Sequence, residues 1–314
     1  MGRRSKGRPI NGWLVVDKGV GITSTQVVNR VKWLTQAQKV GHGGTLDPLA
    51  TGVLPIAMGE ATKTVAYVMD ARKGYRFTVR FGESRDTDDA EGEVLASSEL
   101  RPSDEAIEAA LAPFRGEIQQ RPPIYAAVKI QGERAYDLAR RGEKVELEPR
   151  PVRIDRLDFV RRVDADHAEF EMECGKGTYV RALARDLGEV LGCHAHVSKL
   201  RRTAVGGFTL EHAVSLNALE GVVQEDSLPQ VLVSVATALA GIPALAVTEP
   251  QALRLRAGQP IRVSPGLFGG EQPSAGGTVL ITQGGDVVAI GRFDDGEVSP
   301  LRVFNLKGGH AARA

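Results

Sequence analysis

Two stretches of strict two-residue alternation constrain this chain more than any other feature. Tyr75, Phe77, Val79 and Phe81 alternate with Arg76, Thr78 and Arg80, and Ala168, Phe170, Met172 and Cys174 alternate with His167, Glu169, Glu171 and Glu173. A side-chain period of two belongs to a strand with one buried and one wet face. Other segments carry the helical period. Thr23 and Gln26 fit a capping box ahead of Val27, Val28, Val31 and Leu34. Ser103 is placed to cap a helix bearing Ile107, Leu111 and Phe114. Thr178 is placed to cap one bearing Val180, Leu183, Ala184, Leu187 and Leu191, stopped by Gly192. Leu14-Val15-Val16 reads as a short buried strand.

The chain has 314 residues, and at roughly 150 per domain this implies about two domains. After about residue 245 the pieces Val279-Leu280-Ile281 and Val287-Val288-Ala289-Ile290 lie between Gly/Pro-rich turns, as in a small all-β domain. The expected division is a disordered basic tail at 1–9, a catalytic domain at 10–245 and a small domain at 246–314. Val231 to Val247 is Ala-rich but broken by Ser234, Thr237, Gly241 and Pro243. A spanning helix needs about 20 mostly apolar residues, so this stretch reads as a core helix that ends at Gly241 and leads into a linker. The tail residues Arg3, Arg4, Lys6 and Arg8 have no apolar stretch behind them, unlike a signal peptide. Two cysteines fit a reducing compartment. The chain is expected to be soluble and cytoplasmic. A composition of 42% hydrophobic and 25% charged residues excludes a mainly disordered chain, a coiled coil or a collagen-like repeat. The net charge of +1 announces no nucleic-acid partner.

Three places carry chemistry. The first is Asp47, in the glycine-rich run Gly41 to Gly52. Glycines allow positive φ and close backbone approach, and Pro48 restricts Asp47 to extended conformations. A carboxylate held this way can be a nucleophile, a base, a metal ligand or a turn former. No Asp-x-Asp, Asp-Thr-Gly or Gly-Lys-Ser/Thr accompanies it, against a phosphatase, an aspartic protease or a P-loop. The second is Tyr75, which is either a core tyrosine or an aromatic face at the mouth of a cleft, where base stacking is worth about 1–3 kcal/mol. The third is Arg181, in the first turn of an expected helix, where a cation opposes the helix dipole. It is either a surface arginine or the partner of an acid. Cys193, His194 and His196 offer too few spaced ligands for zinc. Asp86, Asp88, Asp89, Glu91 and Glu93 lack the EF-hand pattern and read as a solvated acidic turn.

In combination these segments resemble the TruB-type bacterial tRNA pseudouridine-55 synthases. The resemblance is carried by Gly41-His42-Gly43-Gly44-Thr45-Leu46-Asp47-Pro48-Leu49-Ala50-Thr51-Gly52-Val53-Leu54-Pro55 and by Lys73-Gly74-Tyr75-Arg76-Phe77. It continues in Arg121-Pro122-Pro123-Ile124-Tyr125-Ala126-Ala127-Val128-Lys129, Lys176-Gly177-Thr178-Tyr179-Val180-Arg181 and Leu200-Arg201-Arg202-Thr203-Ala204-Val205-Gly206-Gly207-Phe208. Order and spacing match from about residue 10 to about residue 225. Less strongly, Ala257-Gly258-Gln259-Pro260 and Val287 to Phe293 resemble a PUA-like RNA-binding domain.

The resemblance implies a mixed α/β (α+β) catalytic domain with a central antiparallel-rich mixed sheet, followed by a small β PUA-like domain. It implies isomerisation of uridine 55 in the T loop of tRNA, stand-alone, with base flipping and no cofactor or metal. It makes Asp47 the nucleophile, Tyr75 the ring against the target base and Arg181 the partner of Asp47. It puts His42 near the flipped nucleotide, lines the substrate pocket with Tyr179 and Leu200, and places Lys18 in the family's Asp-Lys-Pro segment. Gly19 replaces that proline, which loosens the turn and weakens any role for Lys18; Gly175 stands where many relatives have serine. Local clusters, Lys199 with Arg201-Arg202 and Arg140-Arg141, are candidates for RNA backbone contact. A monomer without an obligatory protein partner or membrane is expected. A guide-RNA-dependent relative with protein partners and a non-catalytic RNA-folding helper are the alternatives.

The chemistry suits these residues. The N1–C1′ bond breaks, the base turns and a C5–C1′ bond forms, with no oxidation and no added water. A free aspartate, with an ordinary pKa of about 3.9, is ionised at pH 7 without a helper base. Burial raises a carboxyl and a nearby guanidinium lowers it, so an arginine keeps a buried carboxylate charged. The base must leave its stack at a cost of a few kcal/mol.

Overall fold

The computed structural model describes residues 7–126, 128–130, 133–134, 138, 141, 143, 145–264, 267–268 and 273–306. The first alternating stretch becomes Lys73–Phe81, a central strand of an 11-stranded sheet. His167–Cys174, the second, pairs antiparallel on one side, followed by Arg150–Arg162 and Gly116–Gln120. On the other side come Ala195–Val205, Thr51–Met58, Gly12–Lys18 and Ala213–Ser215. Ala195–Val205 meets Thr51–Met58 in parallel, and so does Gly12–Lys18 with Ala213–Ser215; the other pairings in this row are antiparallel. The sheet is mixed and antiparallel-rich, as expected.

Register makes the core. Phe77 lies opposite Phe170 with rings stacked at 5.5 Å, and Phe159 meets Phe170 edge-on at 5.8 Å. Such ring pairs contribute about 0.5–1.5 kcal/mol beyond their buried area. The helix Val180–Val190 packs Leu183, Ala184 and Leu187 into the same core. The opposite face of the sheet is wet. There Arg76 and Arg161 both reach Glu169 at 2.9 Å, and Arg156 reaches Glu171 at 2.9 Å. The Thr23–Gln26 capping box and the Ser103 cap are present.

Four expectations about local structure are corrected. Helix Val180–Val190 is capped at Tyr179, without a side-chain cap, because the Thr178 hydroxyl donates instead to the Gly175 carbonyl at 3.2 Å. Val231 to Val247 is not one helix. Ser234 accepts the Thr237 N–H at 3.0 Å and starts a new short helix, Val235–Ala238, after the strand Leu232–Val233. A serine oxygen competing for main-chain donors favours a cap over a helix interior. Arg8 is not part of a free tail: its main chain bonds Gln36 and Gln38 at 2.7 and 3.0 Å. Arg3, Arg4 and Lys6 lie outside the described residues. The fourth correction, to the acidic turn, belongs to the site below. Among the described residues no helix is long and apolar enough to cross a membrane.

The C-terminal part forms a five-stranded sheet in the order Ala244–Ala246, Thr278–Gln283, Asp286–Asp294, Glu297–Val303, Ile261–Arg262, with the helix Glu249–Arg256 against it. Leu280, Val287, Ile290 and Phe304 share one core with Trp13, Val15 and Phe208. The smaller sheet is thereby packed onto the larger one.

Candidate active site

Asp47 lies in the loop between the strands Val40–His42 and Thr51–Met58, and the peptides around it are tied down. The Ser24 hydroxyl both donates to the Leu46 carbonyl at 3.0 Å and accepts the Leu46 N–H at 2.8 Å. The Pro48 carbonyl accepts from Gly21 N–H at 2.8 Å and from Lys18 Nζ at 3.2 Å. Arg202 donates to the carbonyls of Gly44, Thr45 and Val53 at 3.0, 3.2 and 2.8 Å. Gly52 closes the loop with φ +97°, where a Cβ would lie 2.2 Å from the Arg202 carbonyl oxygen. Only glycine permits that backbone and that approach. With its neighbouring peptides anchored, the carboxylate is held with little freedom, while its side chain keeps 37% of its surface open.

Arg181 faces it from the first turn of helix Val180–Val190. Its guanidinium is 3.0 Å from Asp47 and 3.4 Å from Asp89, and it donates to the carbonyls of Thr87 and Tyr125 at 3.1 and 3.0 Å. Only 6% of the Arg181 side chain and 4% of the Asp89 side chain reach solvent. The arginine is thus buried between two carboxylates, one closed off and one partly open to solvent. Its unfavourable place near a helix N-terminus is offset by those charges.

The acidic turn is therefore solvated only in part: Glu91 and Glu93 are exposed, but its centre is not. Asp88 and Asp89 are buried, each opposite an arginine of the same helix. Composition alone conceals this, because the partners lie 92 and 97 residues away in sequence. Asp89, Thr87, Ser24 and Gln120 were not legible as site residues. Gln120, 1% exposed, accepts the Tyr179 N–H at 2.8 Å and donates to the Tyr179 carbonyl at 3.1 Å. It fixes the peptide groups of Tyr179, the residue from which the helix starts.

The remaining expected site residues divide into two groups. Tyr75 is half-buried at the end of the central strand nearest Arg202. Burial raises its phenol above the ordinary value, and the Arg202 guanidinium opposes that rise. His42 is half-buried; burial first, then Arg202, lower its imidazole, and its Nδ1 accepts the Gly44 N–H at 3.4 Å. Tyr179 packs its ring on Ala126, Val128 and Leu147, and burial raises its phenol. Leu200 lies in the core beneath the cleft. The charge of Asp47 is felt at Lys18, Tyr75, Tyr179 and Arg202.

Lys18 and Arg202 form the second group, because both point inward. Lys18 is fully buried and donates to the carbonyls of Gly19, Ile22 and Pro48 at 2.9, 2.8 and 3.2 Å. The ammonium itself closes the turn that Gly19 leaves without a proline. Burial lowers it to about 8. Arg202 is 2% exposed and bonded to carbonyls, so it holds the loop and has no surface to offer a phosphate. Arg201 is paired with Asp17 at 2.8 Å and Arg141 with Glu133 and Glu143 at 2.7 Å, whereas Lys199 is exposed. Arg140 lies outside the described residues. Among the described residues no three His, Cys, Asp or Glu side chains group as metal ligands.

This geometry can hold one ionised oxygen beside a guanidinium in a partly closed cleft, with two aromatic rings close to the carboxylate. Comparison with known proteins agrees. The description "TruB family pseudouridylate synthase (N terminal domain)" matches residues 32–180, and "tRNA pseudouridylate synthase B C-terminal domain" matches residues 181–240. A tRNA pseudouridine synthase B of Cereibacter sphaeroides is 54% identical, covering 98% of this chain and 100% of that protein. One of Bradyrhizobium diazoefficiens is 56% identical, covering 96% and 88%. Among solved structures, a chain of a Cbf5-Nop10-Gar1 complex aligns with a TM-score of 0.75 at 25% identity, over 93% of this chain and 84% of that one. With the matched segments spanning both arms of the Asp47–Arg181 pair, the chain belongs to the TruB family of pseudouridylate synthases.

Proposed function

We propose that this protein isomerises uridine 55 in the T loop of tRNA to pseudouridine, acting in the cytoplasm as a monomer without a cofactor or an obligatory protein partner. One observation carries the assignment of roles: Asp47 keeps one face open while its other side meets the buried Arg181 at 3.0 Å. Asp47 is the nucleophile. Arg181 stabilises its charge in a region where water screens little. Tyr75 offers a flat face to the uracil and Tyr179 walls the pocket. His42, a neutral acceptor at Nδ1, is assigned to the space near the flipped nucleotide. The flipped base gives up stacking worth a few kcal/mol, which contacts in the pocket offset.

The C5–H of the target is exchanged for the new C5–C1′ bond, so the reaction releases that hydrogen to water. Purified protein is therefore expected to release tritium from tRNA labelled at C5 of its uridines, without guide RNA or added protein. Failure to release it from bare tRNA overturns the stand-alone reading. The C-terminal sheet, with Ala257-Gly258-Gln259-Pro260 at its edge, is proposed as a PUA-like RNA-binding unit beginning near residue 246. Its removal is expected to weaken tRNA binding more than turnover at saturation.

A further inference from the structure

We propose that the Asp88–Arg185 ion pair positions the catalytic Arg181, by way of Asp89; the inference rests on the isomerase reading above. Arg181 and Arg185 lie four residues apart on helix Val180–Val190, on neighbouring turns of one face. Both reach the loop that carries Asp88 and Asp89. Arg181 holds the Thr87 carbonyl at 3.1 Å and stands 3.4 Å from Asp89. Arg185 holds the Asp88 carboxylate at 2.8 Å and the Arg121 carbonyl at 2.8 Å.

The backbone makes this division possible. Asp88 has φ +58°, the left-handed conformation that non-glycine residues rarely adopt. That turn lets consecutive carboxylates serve two arginines. Asp89 is then fixed from its other side: its Oδ1 accepts the Thr87 hydroxyl at 2.7 Å and the Glu91 N–H at 3.0 Å. The neighbouring strand holds the loop through main chain, with Val197 N–H on the Asp88 carbonyl at 3.1 Å and Ala90 N–H on the Val197 carbonyl at 3.0 Å. Side-chain exposures of 11% for Asp88 and 21% for Arg185 make the pair largely buried. Buried pairs contribute little net stability, but loss of one partner leaves a charge that must move. Without the Asp88 anchor, Arg185 keeps only the carboxylate of Asp186, its neighbour on the same helix at 2.8 Å, and no longer ties the helix to the loop, so the adjoining Asp89 loses the fixed backbone that aims it at Arg181.

The pair is also titratable. Burial raises Asp88 to about 6, against the lowering by Arg185 and Arg181; Asp186, from the same helix, adds to the rise. Above that value Asp88 is ionised and the pair is formed. Below it Asp88 is neutral and the anchor is gone. Turnover of tRNA at saturation is therefore expected to fall on the acid side with a midpoint near pH 6, with KM steady. Asp88→Asn keeps the size and tolerates the left-handed backbone, but it is permanently neutral. It is expected to lower kcat by about tenfold at neutral pH, within what a displaced catalytic group costs, with KM within twofold. Its kcat should be flat through the region where the wild type falls, and should meet the wild-type rate on the acid side. A wild-type kcat in Asp88→Asn, or an acid limb retained in it, overturns the proposal. Should that variant not fold, the wild type suffices: a kcat independent of pH around 6 overturns it. A wild type that releases no tritium at any pH sinks the isomerase reading and this inference together, whereas an active wild type without the limb sinks only this one.

Discussion

Arg181 and Arg202 are both arginines driven into the interior, and their surroundings differ in kind. Arg202 is surrounded by main-chain carbonyls of the Asp47 loop and the strand after it. Arg181 lies between two carboxylates and two carbonyls. Carbonyl dipoles solvate a cation without cancelling its charge, whereas carboxylates cancel part of it. The field of Arg202 accordingly extends to its neighbours. It helps lower His42 and Lys73 and opposes the rise of Tyr75. Arg181 is matched by the closed-off Asp89, which leaves Asp47 as the open negative oxygen of the cleft. One arginine builds the loop and the other serves the reaction.

Substitution can break this contrast. The largest effect is expected at the carboxylate that Arg181 pairs with and whose loop Arg202 holds. Asp47→Asn should reduce tritium release by about 10⁴-fold or more, as removal of a nucleophile does, with tRNA binding within a few-fold by filter binding. Substantial remaining turnover would refute its role. Arg181→Met leaves Asp47 and Asp89 facing each other without a cation. Turnover is expected to fall about 10²–10³-fold, the scale of losing one preorganised electrostatic group, and Arg181→Lys to recover part of it. Equal rates for the two variants would place the arginine's importance elsewhere.

Arg202→Met should act first on folding. It orphans the buried Val53 carbonyl, at about 1–3 kcal/mol when unsatisfied, and frees the part-buried Gly44 and Thr45 carbonyls to water; denaturant unfolding measures the loss. Because only 2% of Arg202 reaches solvent, the salt dependence of tRNA binding should keep its slope; a slope reduced by about one would reveal a phosphate contact instead. The smallest effect is expected at Lys18, the other buried cation among carbonyls. Between pH 8 and 10.5 the unfolded chain retains a proton there that the folded chain has released. Stability from this group therefore rises with pH across that window. Lys18→Met should flatten the rise, and an unchanged pH dependence of unfolding would contradict it.

The strands were legible because alternation is a local signal: Tyr75 to Phe81 and Ala168 to Cys174 reveal their buried faces within a few residues. The Asp47 loop was legible for a similar reason, since Gly-Gly and Asp-Pro restrict the backbone on the spot. The burial of Asp88 and Asp89 was not, because a run of acids looks the same whether it meets water or two arginines from a distant helix. Arg202 misled in the opposite sense. A basic pair on a strand suggests a phosphate contact, yet alternation sends Arg201 outward to Asp17 and Arg202 inward to the loop.

By itself the sequence determined the elements, the rigidity around Asp47 and, through five ordered segments, the kinship of the whole chain. Tertiary structure alone decided which charge meets which. Spacing along a chain reports neighbours within a turn or a strand, whereas Arg202 and Val53 lie 149 residues apart and Arg181 and Thr87 lie 94 apart. Only the stacking of strands in their final order and register brings such groups within 3 Å or so, where a low dielectric makes their charges matter.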